Sequence, residues 1–164
     1  MADEDNETLY LVDGSSYIFR AYYAVRGLTN SEGLPTNAAY GFTQMLQTLL
    51  EGQDPEYIAV ALDAFGSDVP TFRHERYDEY KANRDDTPEE LMEQIPYIRR
   101  IIEALHIPLL EKPGVEADDL IATATRRARE EGVEVTVVSG DKDLMQLLGD
   151  GVTMYDTKGD NVYT

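Results

Sequence analysis

Short, continuously apolar segments alternate along this sequence with longer segments whose apolar residues recur every three or four positions. A segment that is apolar at every position suits a strand buried on both faces, and such strands occur in parallel sheets covered by helices. The sequence therefore predicts an α/β fold with a mostly parallel central sheet and helices on both faces. The predicted strands are LYLV at 9–12, YIAVAL at 57–62, IPLLE at 107–111, VEVTVVS at 133–139 and VTMYD at 152–156.

The predicted helices lie between these strands, in segments where apolar residues recur at helical spacing. One helix is expected to begin near Ser15 or Ser16, and another at Pro88, because proline suits the first helical turn. The predicted helices run from about 15 to 26, 36 to 51, 88 to 105 and 116 to 131, and a short helix, KDLMQLL, follows the strand at 133–139.

Acidic residues occur where the predicted strands end. Asp13, Asp63 and Asp141 follow three of the strands, and the segment GVEADD at 114–119 follows a fourth. Open parallel sheets bind their ligands beyond the carboxyl ends of the strands, so these acids are expected to converge at one edge. The seven acids predicted there are Asp13, Asp63, Glu116, Asp118, Asp119, Asp141 and Asp143.

Seven carboxylates at one edge repel one another unless a cation lies among them. Any single aspartate could be a turn former or a helix cap, but that explanation does not extend to seven acids at strand ends. Oxygen ligands select hard cations, and the sequence has no cysteine for a thiolate zinc site. Two ions about 4 Å apart suit phosphodiester cleavage. The sequence therefore predicts a site for two Mg²⁺ or Mn²⁺ ions.

Residues 71–84, TFRHERYDEYKANR, are less acidic than the rest of the chain. This segment carries four basic and three acidic side chains, whereas the whole chain has a net charge of −18. Its tyrosines, Tyr77 and Tyr80, could stack on bases, as single-strand binding requires. An exposed helix of mixed charge is the alternative. The candidate DNA contacts are Arg73, Arg76, Tyr80, Lys81 and Arg84, together with Arg20 on the helix after Asp13.

The wider segment from about 66 to 90 has few apolar residues after Phe72. A segment that buries so little is expected to be mobile without DNA and to become ordered on binding. Lys81 and Arg84 would lie one turn apart on a helix and present both charges to one strand of nucleic acid. The sequence therefore predicts a helical insertion over the acidic edge.

The acidic composition limits the classes of function. A net charge of −18 argues against a protein that coats nucleic acid without specificity, since such proteins are basic. No apolar run approaches the roughly 20 residues of a membrane span. The N-terminus, MADEDNE, is unlike a secretory signal, so residues 1–8 are expected to form a disordered acidic leader and the protein to be cytoplasmic.

Five segments resemble one known family. They are VDGSSYIFRAYYA, the YGF of the second predicted helix, FRHERYDEYKANRDDTP, GVEADDLIA and SGDKDLMQLL. In this order and spacing they resemble the 5′→3′ exonuclease domain at the N-terminus of bacterial DNA polymerase I, a member of the flap endonuclease superfamily with a PIN-like core. The resemblance covers nearly the whole chain from Leu9 onward.

The resemblance implies a divalent-metal nuclease that removes 5′ flaps and RNA primers during replication and repair. It implies that the seven acids bind metal, that Arg20 lies near the scissile phosphate, and that Arg20, Lys81 and Arg84 take part in catalysis. It also implies that Tyr80, Lys81 and Arg84 belong to an arch through which the 5′ strand passes. The implied substrates are DNA with a 5′ flap or 5′ end and RNA–DNA primer junctions, and the protein is expected to be a monomer without membrane association.

The same resemblance implies a domain plan. Residues 9–164 would form the catalytic core, with an arch at about 66–90. In the family, about a hundred further residues follow, with a helical DNA-binding motif and two more metal-site aspartates. The chain reaches VYT at 162–164 before that region, and a continuation into a polymerase is expected from the family.

Two other functions are compatible with acids at strand ends. One is a phosphatase of the HAD-like class with an aspartate nucleophile, which needs a second aspartate two residues after the first. Ser15 occupies that position. The other is a non-catalytic module that binds metal or DNA, although five carboxylates in GVEADD and GDKD exceed what one ion needs.

Overall fold

The computed structural model describes residues 7–65 and 87–164, which form a six-stranded sheet flanked by helices. The strand order is β3-β2-β1-β4-β5-β6, with β6 antiparallel to β5 and every other pair parallel. The strands are β1 (Thr8–Asp13), β2 (Tyr57–Ala61), β3 (Leu109–Leu110), β4 (Glu134–Val138), β5 (Val152–Asp156) and β6 (Asn161–Tyr163).

The helices connect these strands as crossovers. They are α1 (Gly14–Ala24), α2 (Asn37–Gln53), α3 (Glu89–Met92), α4 (Ile95–Ala104) and α5 (Ala117–Glu130), and a 3-10 helix (Lys142–Leu147) follows β4. The chain passes from β1 outward to β2 and β3, and then returns through α5 to β4 on the other side of β1. This reversal makes the carboxyl ends of β1 and β4 the switch point of the sheet, where such folds bind ligands.

Alternating side chains of the strands fill a core on each face of the sheet. Val12 of β1 packs in one core with Phe42 and Ile98, whereas its neighbour Leu11 packs in the other core with Ile121. The first core lies under α1, α2 and α4, and the second under α5 and the 3-10 helix. The prediction of a mostly parallel sheet with helices on both faces is therefore confirmed.

The prediction of one continuous helix over 88–105 was wrong. Residues 89–104 form two helices, α3 and α4, which are interrupted at Glu93 and Gln94. Pro96 lies in the first turn of α4 and has no backbone N–H to continue the hydrogen-bond ladder from α3. Gln94, at this break, is 1% exposed and therefore buried in the core.

The amide network, Asn37 and Gln94, joins α1, α2 and the α3–α4 break. Asn37 Nδ2 donates to the carbonyl oxygens of Tyr22 at 2.9 Å and Val25 at 2.8 Å, and Asn37 Oδ1 accepts from Gln94 Nε2 at 2.8 Å. Gln94 Oε1 accepts from the backbone N–H of Ala39 at 3.0 Å. Each buried amide thus has partners for both its donor and its acceptor groups.

Other sequence boundaries differ slightly from the predictions. β1 begins at Thr8, inside the predicted leader, and residues 1–6 lie outside the described residues. β3 has two residues rather than the predicted five, and the antiparallel β6 was not predicted. The predicted arch lies outside the described residues between 66 and 86. No helix in the described part of the chain is both long and apolar enough to cross a lipid bilayer.

Candidate metal centre at the carboxyl edge of the sheet

The acidic centre, Asp13, Asp118 and Asp141, lies at the switch point of the sheet. One carboxylate oxygen from each residue lies within 4.8 Å of an oxygen of the other two. Asp13 ends β1, Asp118 is in the first turn of α5, and Asp141 precedes the 3-10 helix after β4. Three separate crossovers therefore bring these carboxylates together.

Asp13 is the most buried member of this centre, at 2% exposure. Its Oδ2 accepts from the hydroxyl of Ser139 at 2.7 Å, and its Oδ1 accepts from the backbone N–H of Ser16 at 3.4 Å. Burial raises the pKa of Asp13 to about 7, and the charges of Asp118 and Asp141 act in the same direction. The two hydrogen bonds oppose this rise because they favour the carboxylate. A cation at the centre would stabilise the ionised form.

Ser139 connects the ends of the two central strands. Its side chain is fully buried, and while its hydroxyl donates to Asp13 it accepts from the backbone N–H of Asp141 at 3.0 Å. The Asp141 carboxylate in turn accepts from the backbone N–H of Asp143 at 3.0 Å and so caps the 3-10 helix. One buried hydroxyl thus fixes a carboxylate on β1 relative to the loop after β4.

Asp63 lies at the junction between β2 and α5. Its backbone N–H donates to Ser15 Oγ at 2.7 Å, and its Oδ1 accepts from the backbone N–H of Ala117 at 2.8 Å. Glu116, at the N-cap position of α5, is 5% exposed. The contacts of Asp63 hold it beside the first turn of α5, which carries Asp118, and Glu116 precedes that turn.

Asp119 and Asp143 lie on the outer side of the acidic centre. With Asp118 and Lys142 they line a shallow pocket of about 250 Å³ between α5 and the 3-10 helix. The structure therefore brings three of the seven predicted acids together in one centre. The other four, Asp63, Glu116, Asp119 and Asp143, lie beside the two elements that carry Asp118 and Asp141.

The donor set of this centre fits a hard divalent cation. All its ligand groups are carboxylates. Carboxylate oxygens are the protein ligands preferred by Mg²⁺, Mn²⁺ and Ca²⁺. The mutual repulsion of the three carboxylates and the raised pKa of Asp13 are both relieved when a cation binds. The residues therefore suit the metal that the sequence predicts.

Arg20 lies at the same edge in an ion pair that the sequence did not reveal. Its Nη1 is 2.9 Å from Oδ1 of Asp156, the last residue of β5. Tyr17 donates to the same carboxylate at 3.1 Å, and its ring lies 4.8 Å from the Arg20 guanidinium carbon. Asp156 ends a predicted strand just as Asp13 does, so the strand-end rule could have identified it.

The remaining candidate residues lie outside the described residues. These are the predicted DNA contacts Arg73, Arg76, Tyr80, Lys81 and Arg84, along with Tyr77. Their assignment stays a prediction. The segment that contains them begins after Phe65, whose ring packs against Phe19 at 5.9 Å between centroids.

A family model described as the 5′-3′ exonuclease, N-terminal resolvase-like domain, matches residues 8–164. The chain belongs to the 5′-3′ exonuclease family. The match includes both strands at the switch point and all three residues of the acidic centre. The predicted resemblance is thus confirmed, and the family assignment favours a nuclease over the HAD-like phosphatase.

Curated relatives of this 5′-3′ exonuclease domain are longer proteins. DNA polymerase I from Bacillus caldotenax is 48% identical over 150 residues, which cover 92% of the chain and 17% of the relative. DNA polymerase I from Mycobacterium tuberculosis is also 48% identical, over 96% of the chain and 17% of the relative. A 5′-3′ exonuclease from Aquifex aeolicus is 42% identical over 96% of the chain and 54% of the relative. The chain therefore spans between a sixth and about half of these proteins.

Solved structures give the same fold. The phage T5 5′-exonuclease with bound zinc ions has a TM-score of 0.69 and 27% identity, over 96% of this chain and 58% of that one. A phage T5 flap endonuclease in complex with DNA and metal ions has a TM-score of 0.68 and 26% identity, over 96% and 57%. The Rad2 catalytic core, with a TM-score of 0.56 and 19% identity, shares the fold.

Together these findings place the 5′-3′ exonuclease domain among the nucleases, as predicted at the level of the family. The three carboxylates of the acidic centre form a donor set that suits a divalent metal ion.

Proposed function

We propose that this domain hydrolyses phosphodiester bonds at the 5′ ends of DNA, as a 5′→3′ exonuclease and 5′-flap endonuclease. The observation that carries the proposal is the convergence of Asp13, Asp118 and Asp141 at the switch point of a 5′-3′ exonuclease fold. RNA primers paired to DNA are proposed as further substrates, which places the reaction in replication and repair. The protein is proposed to act as a monomer on these substrates.

The metal is proposed to be Mg²⁺ or Mn²⁺, with two ions bound. Asp13, Asp118 and Asp141 would hold one ion, because their oxygens already lie within 4.8 Å of one another. When bound, such ions act as Lewis acids toward the phosphate and the attacking water. The further proposed ligands, direct or through water, are Asp63, Glu116, Asp119 and Asp143.

The chain's own groups prepare this site before substrate arrives. Ser139 and the N–H of Ser16 hold the Asp13 carboxylate in one orientation, so little reorganisation is needed at the moment of reaction. The Arg20 guanidinium lies at the same edge and is proposed to contact the scissile phosphate.

The segment 66–86 is proposed to guide the 5′ strand toward the acidic centre. Lys81 and Arg84 would contact its phosphates, Tyr80 would stack on a base, and Arg73 and Arg76 would add positive charge. Without such basic groups, a chain with a net charge of −18 would repel DNA.

The central test is cleavage of a 5′-labelled flap DNA by this chain and by a C-terminally longer form, each with Mg²⁺, Mn²⁺ or EDTA. Product release at the flap junction is expected with either ion in the longer form and is expected to cease in EDTA. Cleavage that persists in EDTA, or that is absent from the longer form with both ions, would contradict the proposal.

The guiding segment is tested by Lys81→Ala and Arg84→Ala in the longer form. Both changes are expected to slow cleavage by about 10-fold or more, because each removes a phosphate contact. Melting temperatures are expected to stay within about 1 °C, since neither change removes an apolar side chain. Limited proteolysis gives an independent check, and resistance to cutting between Arg73 and Arg84 in the absence of DNA would argue for a docked helix instead.

A further inference from the structure

The guanidinium of Arg20 lies directly on the backbone where β4 ends. A Cβ atom added to Gly140 would come within 2.0 Å of Arg20 Nη2, so a larger residue at this position would displace the guanidinium from its present place. Gly140 stands between Ser139, which bonds Asp13, and Asp141 of the acidic centre. The positive charge therefore lies against the loop that joins β4 to Asp141 of the acidic centre.

Asp156 supplies the fixed partner of this guanidinium. Its two oxygens lie 2.9 Å from Nη1 and 3.5 Å from Nη2 of Arg20. The carboxylate is itself held in place, because it also accepts from the hydroxyl of Tyr17 at 3.1 Å and from the backbone N–H of Lys158 at 3.1 Å. Its side chain is 13% exposed and that of Arg20 is 33% exposed, so the pair is shielded from water on most sides.

Tyr17 contacts both members of this ion pair. Its ring lies under the guanidinium at 4.8 Å, and its oxygen accepts from the backbone N–H of Thr157 at 3.3 Å. The guanidinium thus lies over an aromatic ring and close to Gly140, while Asp156 takes two of its five donors. The remaining donors can bind another anion.

A basic side chain near the acidic centre can compete with a metal ion for the carboxylate oxygens. A long, unanchored arginine beside the acidic centre would pair with Asp13 or Asp141, and it would then compete with a metal ion for their oxygens. A partner on β5 holds the charge at a fixed place instead. Preorganisation of this kind matters because a displacement of about 1 Å at a reacting centre can cost about 100-fold in rate.

We propose that Asp156 is a positioning residue, which holds Arg20 in place to contact the substrate phosphate and keeps it away from the metal-binding carboxylates. The inference rests on the proposed nuclease function. It adds to that function a residue on β5, a strand that contributes no member of the acidic centre.

A double-mutant cycle in the longer form tests the inference through Arg20→Ala, Asp156→Ala and the double variant. Arg20→Ala is expected to lower kcat by about 100-fold, as loss of a charge that stabilises the transition state does. Asp156→Ala is expected to lower kcat by about 10-fold with KM nearly unchanged, since it displaces the guanidinium without removing it. The double variant is expected to match Arg20→Ala. Full additivity of the two losses would overturn the inference.

Asp156→Asn and Arg129→Ala supply the controls. Asn keeps an oxygen for Arg20 and is expected to restore part of the rate lost in Asp156→Ala. Arg129 also lies over a glycine, Gly151, but at the amino end of β5, and its Nη1 donates to the Val133 carbonyl at 3.0 Å. Its loss is expected to lower the melting temperature without changing kcat. If Asp156→Ala behaves like Arg129→Ala, the ion pair is only structural and the inference fails.

Metal binding provides a readout without cleavage. Mn²⁺ affinity, measured by calorimetry without DNA, is expected to fall several-fold in Asp156→Ala and to recover in the double variant, in which no freed guanidinium competes for the carboxylates. Equal affinities in the two variants would overturn this part of the inference. A wild-type protein that binds Mn²⁺ but cleaves no flap DNA would contradict the proposed function instead, so the two failures are distinguishable.

Discussion

Two regions of this molecule contain buried polar side chains and differ in whether the chain itself satisfies them. In the amide network, Asn37 and Gln94 are neutral, and both ends of each amide have partners. In the acidic centre, three carboxylates lie within 4.8 Å of one another, and burial raises the pKa of Asp13 to about 7. The first region is complete within the chain, whereas the second needs a cation or a proton.

The difference suggests that the amide network serves stability and that the acidic centre serves function. A satisfied buried network helps to fix the packing of helices and costs little to keep. A cluster of like charges destabilises the fold that holds it, and such a cluster persists where binding requires it. Changes in the two regions should therefore shift stability in opposite directions, and only changes in the acidic centre should affect hydrolysis.

Asp118→Asn is expected to have the largest effect, a loss of flap cleavage of about 1,000-fold or more in the longer form. Asparagine keeps the size of the side chain and removes the charge that binds metal. A bound metal ion stabilises the transition state by several kcal/mol, and this stabilisation would be lost. Circular dichroism and the melting temperature are expected to show an intact fold. Asp150→Asn, an exposed acid in the loop before β5, is the matched control and should cleave normally. Retained cleavage by Asp118→Asn would remove this residue from the metal site.

The second prediction is that metal-free protein becomes more stable as the pH falls from about 8 to about 5. The pKa of Asp13 is 3.8 when unfolded and about 7 when folded, so in this window the folded state holds a proton that the unfolded state has lost. The expected gain is about 3 kcal/mol at most, and urea unfolding in EDTA measures it. The gain should disappear in Asp13→Asn. With Mg²⁺ present the trend should weaken or reverse, because metal binds the ionised carboxylate.

The third prediction concerns the amide network, from which Gln94→Ala removes one of the two buried amides. The change removes the donor to Asn37 Oδ1 and the acceptor of the Ala39 N–H, and both groups lie in the core. A loss of about 2 kcal/mol in the free energy of unfolding is therefore expected. Gln47→Ala, at an exposed position of α2, should change stability little. Mn²⁺ affinity should be the same in both variants, and a large drop for Gln94→Ala would mean that the two regions are coupled.

The smallest expected effect is the response of the wild-type protein to metal. Mg²⁺ or Mn²⁺ at about ten times its Kd should stabilise the fold by about 1.4 kcal/mol, because it binds the native acidic centre. At this chain length the shift in melting temperature should be about 2–4 °C per kcal/mol. NaCl at equal ionic strength serves as the control. A melting temperature that responds equally to NaCl and to MgCl₂ would indicate general screening of charge.

Much of the fold and part of the site followed from the sequence. The uniform apolar strands indicated the parallel sheet, and the rule that ligands bind at strand ends led to Asp13 and Asp141. Sequence could not say which of the seven acids would meet, because that depends on how far α5 turns Asp118 toward β1. The geometry decides this at the level of single oxygen atoms.

Other features were missed for identifiable reasons. The α3–α4 break follows from Pro96, which a single helical pattern over 88–105 concealed. Ser139 looked like the last residue of a strand, and only the register of β1 against β4 places its hydroxyl on Asp13. Asp156 could have been found from its place at the end of β5, but its pairing with Arg20 joins residues 136 positions apart. No local pattern contains such a pair.

The central position of β1 also determines when the acidic centre can form as the protein is synthesised. β1 pairs with residues 57–61 on one side and with residues 134–138 on the other, so one side of it stays without a neighbour until residues 134–138 have emerged from the ribosome. Asp13 and Asp118 are made before Ser139 and Asp141, which arrive just after β4. A nascent chain that ends before β4 therefore lacks the complete acidic centre, and its metal site can form only after Ser139 and Asp141 have been added.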